Sequence, residues 1–292
     1  MNTPIRPLND VRRTLDIDLV ADFTCPWSWL GMAQLTRALG NLSGDVETRL
    51  RWHPFRMAAP GADAAPRSFH DYLADRLPQG ISVPFAEKSL ADAGRELGLD
   101  FHFEKLGALP STSEAHRLVQ LASNEGRQAN VAAAIFRAYF ERGADIGDSA
   151  VLAQIGAEAG LDPKTLRAFR DTREGETVLA GSEERLRGFG VRTVPNLLFG
   201  GRVLVPGTVN VATYVHALDQ ALFPVSEEEA QEMIARVKGF AAIRGYRNLP
   251  RGDVRALAKA VAAVSRLALA KGRPVLEAEI RRRTSLCGAP IR

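Results

Sequence analysis

The stretch Asp22-Phe23-Thr24-Cys25-Pro26-Trp27-Ser28-Trp29-Leu30-Gly31 constrains this chain more than any other. Before it, Leu15, Ile17, Leu19 and Ala21 alternate with Asp16, Asp18, Val20 and Asp22, the period of a half-buried strand. After it, Trp29 to Leu39 carries a helical pattern that Gly40 stops. Cys25 therefore sits where a strand hands over to a helix. A helix N-terminus presents unpaired N–H groups and partial positive charge. A thiolate there is stabilised, and the thiol pKa can fall from about 8.5 to roughly 3.5–7.5. On this ground Cys25 is expected to have a low pKa. Pro26 suits the first helical turn. Ser28, one turn along, can hydrogen-bond to the sulfur but cannot form a disulfide. A monothiol stops at the mixed disulfide unless an external thiol such as glutathione resolves it. The bland alternative is that Cys25 is a small buried apolar residue.

The rest of the chain supplies a frame for that turn. Val46 to Phe55 is a second strand, ended by Pro54, and residues 56–66 are a loop rich in breakers. From about Ser68 to Phe189 the pattern is helical. Ser111 and Glu114 have capping-box spacing. Asp148 is placed to cap another helix, and Asp162-Pro163 starts the next, with Pro where its missing N–H costs nothing. Glu176 to Arg187 is a further helix. Strand character returns at Val194–Phe199, Gly200-Gly201 is a two-residue hairpin signal, Arg202–Val205 is the returning strand, and Val209–Leu222 is a closing helix. Strands at both ends of such a segment bury their faces only by sharing one sheet. The fold class is thus α/β, with a large all-helical insertion.

Bulk properties narrow the function classes. No apolar stretch approaches the roughly 20 residues of a membrane helix, and Met1–Asp10 has no signal-peptide core. The two cysteines, Cys25 and Cys287, are far apart and form no disulfide framework. A reducing cytoplasm is the expected location. The net charge of +4 is concentrated in residues 226–292, which carry 14 Lys/Arg against 7 Asp/Glu. Without a recognition motif, that basic excess reads as a solvated helix face rather than a nucleic-acid site. No metal-ligand cluster, phosphate loop or serine-hydrolase elbow is present.

The cysteine stretch resembles the Asp-x-x-Cys-Pro-Trp-Cys-Tyr-x-Gly segment of the FrnE-like branch of the DsbA family. Three further segments agree in order and spacing: Trp52-His53-Pro54-Phe55; Ser113-Glu114-Ala115-His116-Arg117-Leu118 followed by Phe136-Arg137-Ala138-Tyr139-Phe140; and Gly190-Val191-Arg192-Thr193-Val194-Pro195. The resemblance spans about residues 15–222. It implies a thioredoxin fold with an inserted helical domain, a cis Val194-Pro195 bond facing Cys25, and Val194 backbone available to a thiol-bearing peptide or glutathione. Two departures stand out: Ser28 replaces the second cysteine and Thr193 replaces a glycine. The related kappa-class glutathione transferases and 2-hydroxychromene-2-carboxylate isomerases read Ser-Pro-Tyr-Ser here, so this chain is intermediate.

The expected layout is a flexible leader at 1–14, a thioredoxin-like domain at 15–66 and 190–223, the helical insertion at 67–189, a helical extension at 224–280 and a disordered tail at 281–292. The extension, with its Val275–Ile280 strand pattern, resembles the C-terminal end of the ATP-grasp domain of ADP-forming acyl-CoA synthetases, without the portion that grips ATP. The expected catalytic pair is Cys25 and Ser28. Pro26, Trp27, Trp52, Phe55, Val194 and Pro195 are expected to bind substrate or glutathione, though Phe55, like Tyr139, also suits a core, and one of Trp27 and Trp29 should pack inward. His53 and His116 read as structural. No bound cofactor or metal is expected, and glutathione is the expected cosubstrate. The expected partner is a thiol or disulfide, in a small molecule or a protein, with no membrane or nucleic acid; a homodimer is compatible with this. The implied activity is thiol-disulfide oxidoreduction with a monothiol site. The alternatives are a glutathione-dependent isomerase or transferase, and a non-catalytic thioredoxin-like binding module.

Overall fold

The structure, a computed structural model, describes residues 13–42, 46–57 and 67–224. The expected leader, most of the 56–66 loop, the helical extension, the tail and Cys287 lie outside the described residues.

Four strands, β1 (Arg13–Ala21), β2 (Val46–Pro54), β3 (Asn196–Phe199) and β4 (Val203–Pro206), form one sheet in the order β2-β1-β3-β4. Early and late strands do share the sheet. β3 runs antiparallel to β1, with Leu19 opposite Leu197, and β4 runs antiparallel to β3. The alternation read in β1 is real: Leu15, Ile17 and Leu19 are buried between more exposed neighbours. The β3–β4 turn takes Gly200 and Gly201 at φ 56° and 67°, the left-handed conformation that a two-residue hairpin demands of both central positions.

α1 (Pro26–Leu39) follows β1 after four residues. Between β2 and β3 the described residues form seven α-helices: α2 (Phe69–Ala74), α3 (Val83–Glu96), α4 (Ser113–Leu121), α5 (Gln128–Arg142), α6 (Ser149–Glu158), α7 (Pro163–Asp171) and α8 (Glu176–Gly188). α9 (Val211–Leu222) closes the described chain. Their ends are set as the sequence suggested at two places. The Asp148 carboxylate accepts from the N–H groups of Ala150 and Val151, and Asp162 accepts from Lys164 N–H with Pro163 next to it. The capping box expected at Ser111/Glu114 does not form. The N-cap of α4 is Thr112 without a side-chain cap bond, Ser111 bonds to Ser113, and Glu114 is drawn instead to Arg117, 2.7 Å away. A guanidinium fork offers a carboxylate more than one backbone N–H can.

The described residues fall into two compact units. One comprises Thr14–Thr36 and Thr48–Asn210; the other takes in described residues of Met1–Arg13, Arg37–Glu47 and Val211–Arg292. In the first, the helical stretch and the cysteine turn share a single aromatic core. Phe23 stacks on Trp52 at 4.9 Å and meets Phe136 of α5 at 4.9 Å, while Trp29 of α1 packs on Phe101, Phe136 and Phe140. Arg117 ties α4 to α7 and the segment after it, donating to the carbonyls of Phe169, Thr172 and Glu174 and lying over the Phe169 ring. In the second, Arg13 lies over the Phe223 ring, and Val215, Leu218 and Leu222 of α9 line a small cleft with Ala38 and Leu42.

Candidate active site

Three short pieces of chain meet at Cys25. The turn after β1 closes with Cys25 N–H donating to Asp22 C=O at 3.2 Å, and α1 starts with Ser28 N–H donating to Cys25 C=O at 3.0 Å. The loop before β3 brings up a cis Val194-Pro195 bond, and the Cys25 thiol donates to Val194 C=O at 3.7 Å. The segment after β4 ties both together: Gly207 N–H donates to Pro195 C=O at 2.8 Å, and Thr208 Oγ1 donates to Trp27 C=O at 2.6 Å. Two loops from the far end of the chain are thereby latched to the helix that carries the cysteine.

The structure brings Cys25, Pro26, Trp27, Ser28, Val194 and Pro195 into one neighbourhood. Trp27 and Val194 are half-buried, whereas Trp29 is fully inside, dividing the two tryptophans as expected. Ser28 is completely buried, and its Oγ accepts from Asp22 N–H at 3.5 Å. Trp52 and Phe55, expected on the binding face, are placed differently. Trp52 is packed between Phe23, His116 and Phe136, and Phe55 is wholly enclosed with Arg187 over its ring. His53 is partly exposed and meets Asp18 at 2.7 Å on the sheet surface, where Arg51 binds the same carboxylate.

Burial works against the low Cys25 pKa expected from the helix N-terminus. The thiol is only 4% exposed, and burial pushes its pKa up from 9.0 to about 11. Hydrogen bonding from Ser28 and Trp27 pulls the other way, and the negative charge of Asp22 adds to the rise. Desolvation of a fully enclosed thiolate outweighs the few N–H dipoles at the end of α1. The sulfur is held as a neutral thiol, donating to a carbonyl.

Beneath it lies a polar cluster that motif reading did not single out. Asp22 is buried, and its Oδ2 accepts from Met57 N–H at 2.8 Å and Thr24 Oγ1 at 3.1 Å. Its Oδ1 lies 3.4 Å from His116 Nε2, and neither atom makes a hydrogen bond among the described residues. His116 Nδ1 accepts from Trp52 Nε1 at 3.0 Å. Burial works against an ionised Asp22, but His116, Met57 N–H and Thr112 hold its pKa below the ordinary 3.8. The phenols of Tyr72 and Tyr139 are pushed upward by burial and then by the Asp22 charge. The signal available in sequence was the acidic residue itself, three before the cysteine in an otherwise apolar turn.

The family profile of the DSBA-like thioredoxin domain matches residues 16–219. The chain belongs to the DSBA-like thioredoxin family, a family of thiol oxidoreductases. It is 25% identical over 209 residues to the uncharacterized protein YwbO of Bacillus subtilis, covering 70% of this chain and 96% of that protein. A probable DsbA oxidoreductase from Streptomyces coelicolor has a similar structure, with a TM-score of 0.62 and 23% identity over 73% of this chain and 93% of that one. A putative protein disulfide isomerase from Nitrosomonas europaea follows, with a TM-score of 0.53 and 18% identity over 72% of this chain and 96% of that one. These likenesses establish a DsbA-type thioredoxin fold. Among the described residues, no group of three or more His, Cys, Asp and Glu could hold a metal, and no helix is long and apolar enough to cross a membrane.

Proposed function

We propose that this protein is a monothiol oxidoreductase in which Cys25 forms a mixed disulfide that glutathione resolves. The observation that carries the proposal is Ser28 at the position one helical turn from Cys25, buried and hydrogen-bonded, with Cys25 the single described cysteine, facing Val194 C=O. Among the described residues, no second thiol stands beside Cys25 to expel a bound partner. The chemistry balances in two exchanges. The Cys25 thiolate attacks the glutathionyl sulfur of a mixed disulfide R–S–S–G, forming Cys25–S–S–G and releasing R–S⁻, which takes up the proton that Cys25 gave up. Glutathione thiolate then attacks the glutathionyl sulfur, forming oxidised glutathione and releasing Cys25. Trp27 and the Val194-Pro195 backbone would position the disulfide, and the location would be a reducing cytoplasm where glutathione is abundant.

Burial shapes this chemistry. A sulfur that resists ionisation is a slow attacking group and a poor leaving group, while a neutral disulfide sulfur suffers no desolvation. The mixed disulfide should therefore form slowly and persist. The test is glutathione-dependent reduction of a small glutathionylated disulfide by wild type, Cys25→Ser and Cys287→Ser. Turnover that survives Cys287→Ser and disappears in Cys25→Ser supports the proposal; turnover retained in Cys25→Ser defeats it.

The raised thiol pKa favours one second reading, a glutathione-dependent isomerase or transferase in which Cys25 donates a hydrogen bond and is never oxidised. Isomerase or transferase activity surviving Cys25→Ser, with no mixed disulfide in wild type, would select it.

A further inference from the structure

Glu183, on α8, is a buried carboxylate held between two arginines from different parts of the chain. Its Oε2 accepts from Arg56 Nε at 2.8 Å and its Oε1 from Arg187 Nη2 at 2.7 Å. Arg56 also donates from Nη1 to Ser113 Oγ at 2.8 Å, at the start of α4. Its C=O accepts from Arg187 Nη2 at 3.0 Å, and the Arg187 guanidinium lies over the Phe55 ring. A planar guanidinium with several charged and carbonyl acceptors has its orientation fixed by them. Each arginine leads to one side of the thiol. Arg56 sits in the short strap after β2. On one side of it Phe55 N–H donates to Ala21 C=O at 3.1 Å, and on the other Met57 N–H donates to Asp22 Oδ2 at 2.8 Å. Ala21 and Asp22 open the turn that carries Cys25. Arg187 belongs to the last turn of α8, which ends in a Schellman motif. Gly190 takes φ 87° there, its N–H donates to Arg187 C=O at 3.1 Å, and Val191 N–H donates to Leu186 C=O at 3.0 Å. Arg192 Nη1 returns to the same Arg187 C=O at 2.7 Å and to Val191 C=O at 2.9 Å. Val194, whose C=O meets the Cys25 thiol, is two residues further on.

We propose that Glu183 is a positioning residue for Cys25: with one oxygen on Arg56 and the other on Arg187, it joins the strap behind the cysteine turn to the helix end that launches the cis-proline loop, and so sets how the Val194 carbonyl meets the thiol. The path is continuous in hydrogen bonds on both sides. From Glu183 it runs through Arg56 and its neighbours Phe55 and Met57 to Ala21 and Asp22, and through Arg187, Gly190, Val191 and Arg192 to the loop. An exposed ion pair between two helix turns would contribute little. Here the carboxylate is enclosed, and each of its oxygens serves a different element, so removing one contact releases one side relative to the other. The two sides of the thiol come from residues far apart in the chain, and Glu183 is the group they share. It acts through the backbone that it anchors and does not touch the sulfur. The proposal rests on Cys25 as the reacting thiol, not on glutathione as its partner.

The test is iodoacetamide alkylation of the full chain across pH, with peptide mapping to separate Cys25 from Cys287. Glu183→Gln keeps the size of the side chain but turns an amide NH2 toward one arginine, so one side of the joint is released. The Cys25 thiol then loses a fixed carbonyl acceptor. It should react about 3–10-fold faster at about pH 8, as the loss of one hydrogen bond to the neutral thiol predicts, with the pH profile displaced downward. Asp148→Ala, which weakens the start of α6, controls for a general loss of stability and should leave the Cys25 rate at its wild-type value. A folded Glu183→Gln protein with the wild-type rate and profile would overturn the proposal, and so would an Asp148→Ala protein accelerated to the same degree. Arg56→Lys tests the same joint from the strap side, because a single ammonium lacks the fork that spans Glu183 and Ser113. It should accelerate alkylation in the same direction, and an unchanged rate there overturns the proposal where Glu183→Gln fails to fold. Wild-type Cys25 that resists alkylation from about pH 7 to 10 would defeat the reading of Cys25 as the reacting thiol, whereas a reactive wild type beside an unchanged Glu183→Gln defeats the role of Glu183 alone. No readout needs a glutathione adduct.

Discussion

At the scale of single residues, Ser28 and Cys25 carry the chemistry. Ser28 is buried one turn from the thiol, so Ser28→Cys should restore a dithiol, and the introduced thiol should pair with Cys25 and expel a bound glutathione. The expected outcome is a mixed disulfide that no longer accumulates, followed by intact mass after treatment with oxidised glutathione. Cys25 also has a signature in stability. Its folded pKa of about 11 lies above the ordinary 9.0, so the native state prefers the protonated thiol. That preference is fully present below about pH 9 and is lost as pH rises through about 11. Wild type should therefore lose up to roughly 2 kcal/mol more than Cys25→Ala across that interval in urea unfolding. The sequence made the position of Cys25 legible, because a strand period ends and a helix period begins around it. Its burial was not legible. The carbonyl its thiol meets, that of Val194, comes from a loop 169 positions away, and no local pattern reports it.

Among the secondary-structure elements, caps and latches set the geometry. Asp148 accepts from two N–H groups at the start of α6, and Asp148→Ala should cost about 1 kcal/mol, read as a shift in the denaturant midpoint at unchanged slope. Thr208→Val removes the hydroxyl that holds Trp27 C=O and should cost about 1 kcal/mol. A larger effect is expected at Gly94 of α3, where an added Cβ would come within 2.6 Å of the Phe101 ring. Gly94→Ala should destabilise by roughly 1–3 kcal/mol through overpacking. Asp148, Asp162-Pro163 and the Gly200-Gly201 turn were readable because their signals are local. The Ser111/Glu114 pair was local too, yet misleading: Arg117 is on the same helix and outcompetes the backbone for the carboxylate. The Trp52–His116 bond joins residues 64 positions apart, beyond the reach of periodicity.

For the molecule as a whole, the helical stretch is built around the cysteine turn rather than appended to it, since Phe23 and Trp29 pack against α5. Two carboxylates make the molecule acid-sensitive. Asp22 and Asp18 both have pKa values held below 3.8: burial opposes this in each, and it is outweighed at Asp22 by His116 and at Asp18 by Arg51 and His53. Both contribute stability that is complete above the unfolded value and lost as pH falls through the lowered one. Wild type should lose stability steeply below about pH 4, and Asp22→Asn should show a shallower acid limb in the same unfolding series.

The most direct test of the proposed chemistry is peptide mapping by mass spectrometry after incubating the protein with oxidised glutathione, comparing wild type with Cys287→Ser. One glutathionyl group on Cys25, forming faster at about pH 9 than at about pH 7 and persisting through desalting, is the expected result. A Cys25 that remains unmodified at both pH values, while glutathione is available and the protein is folded, would contradict it.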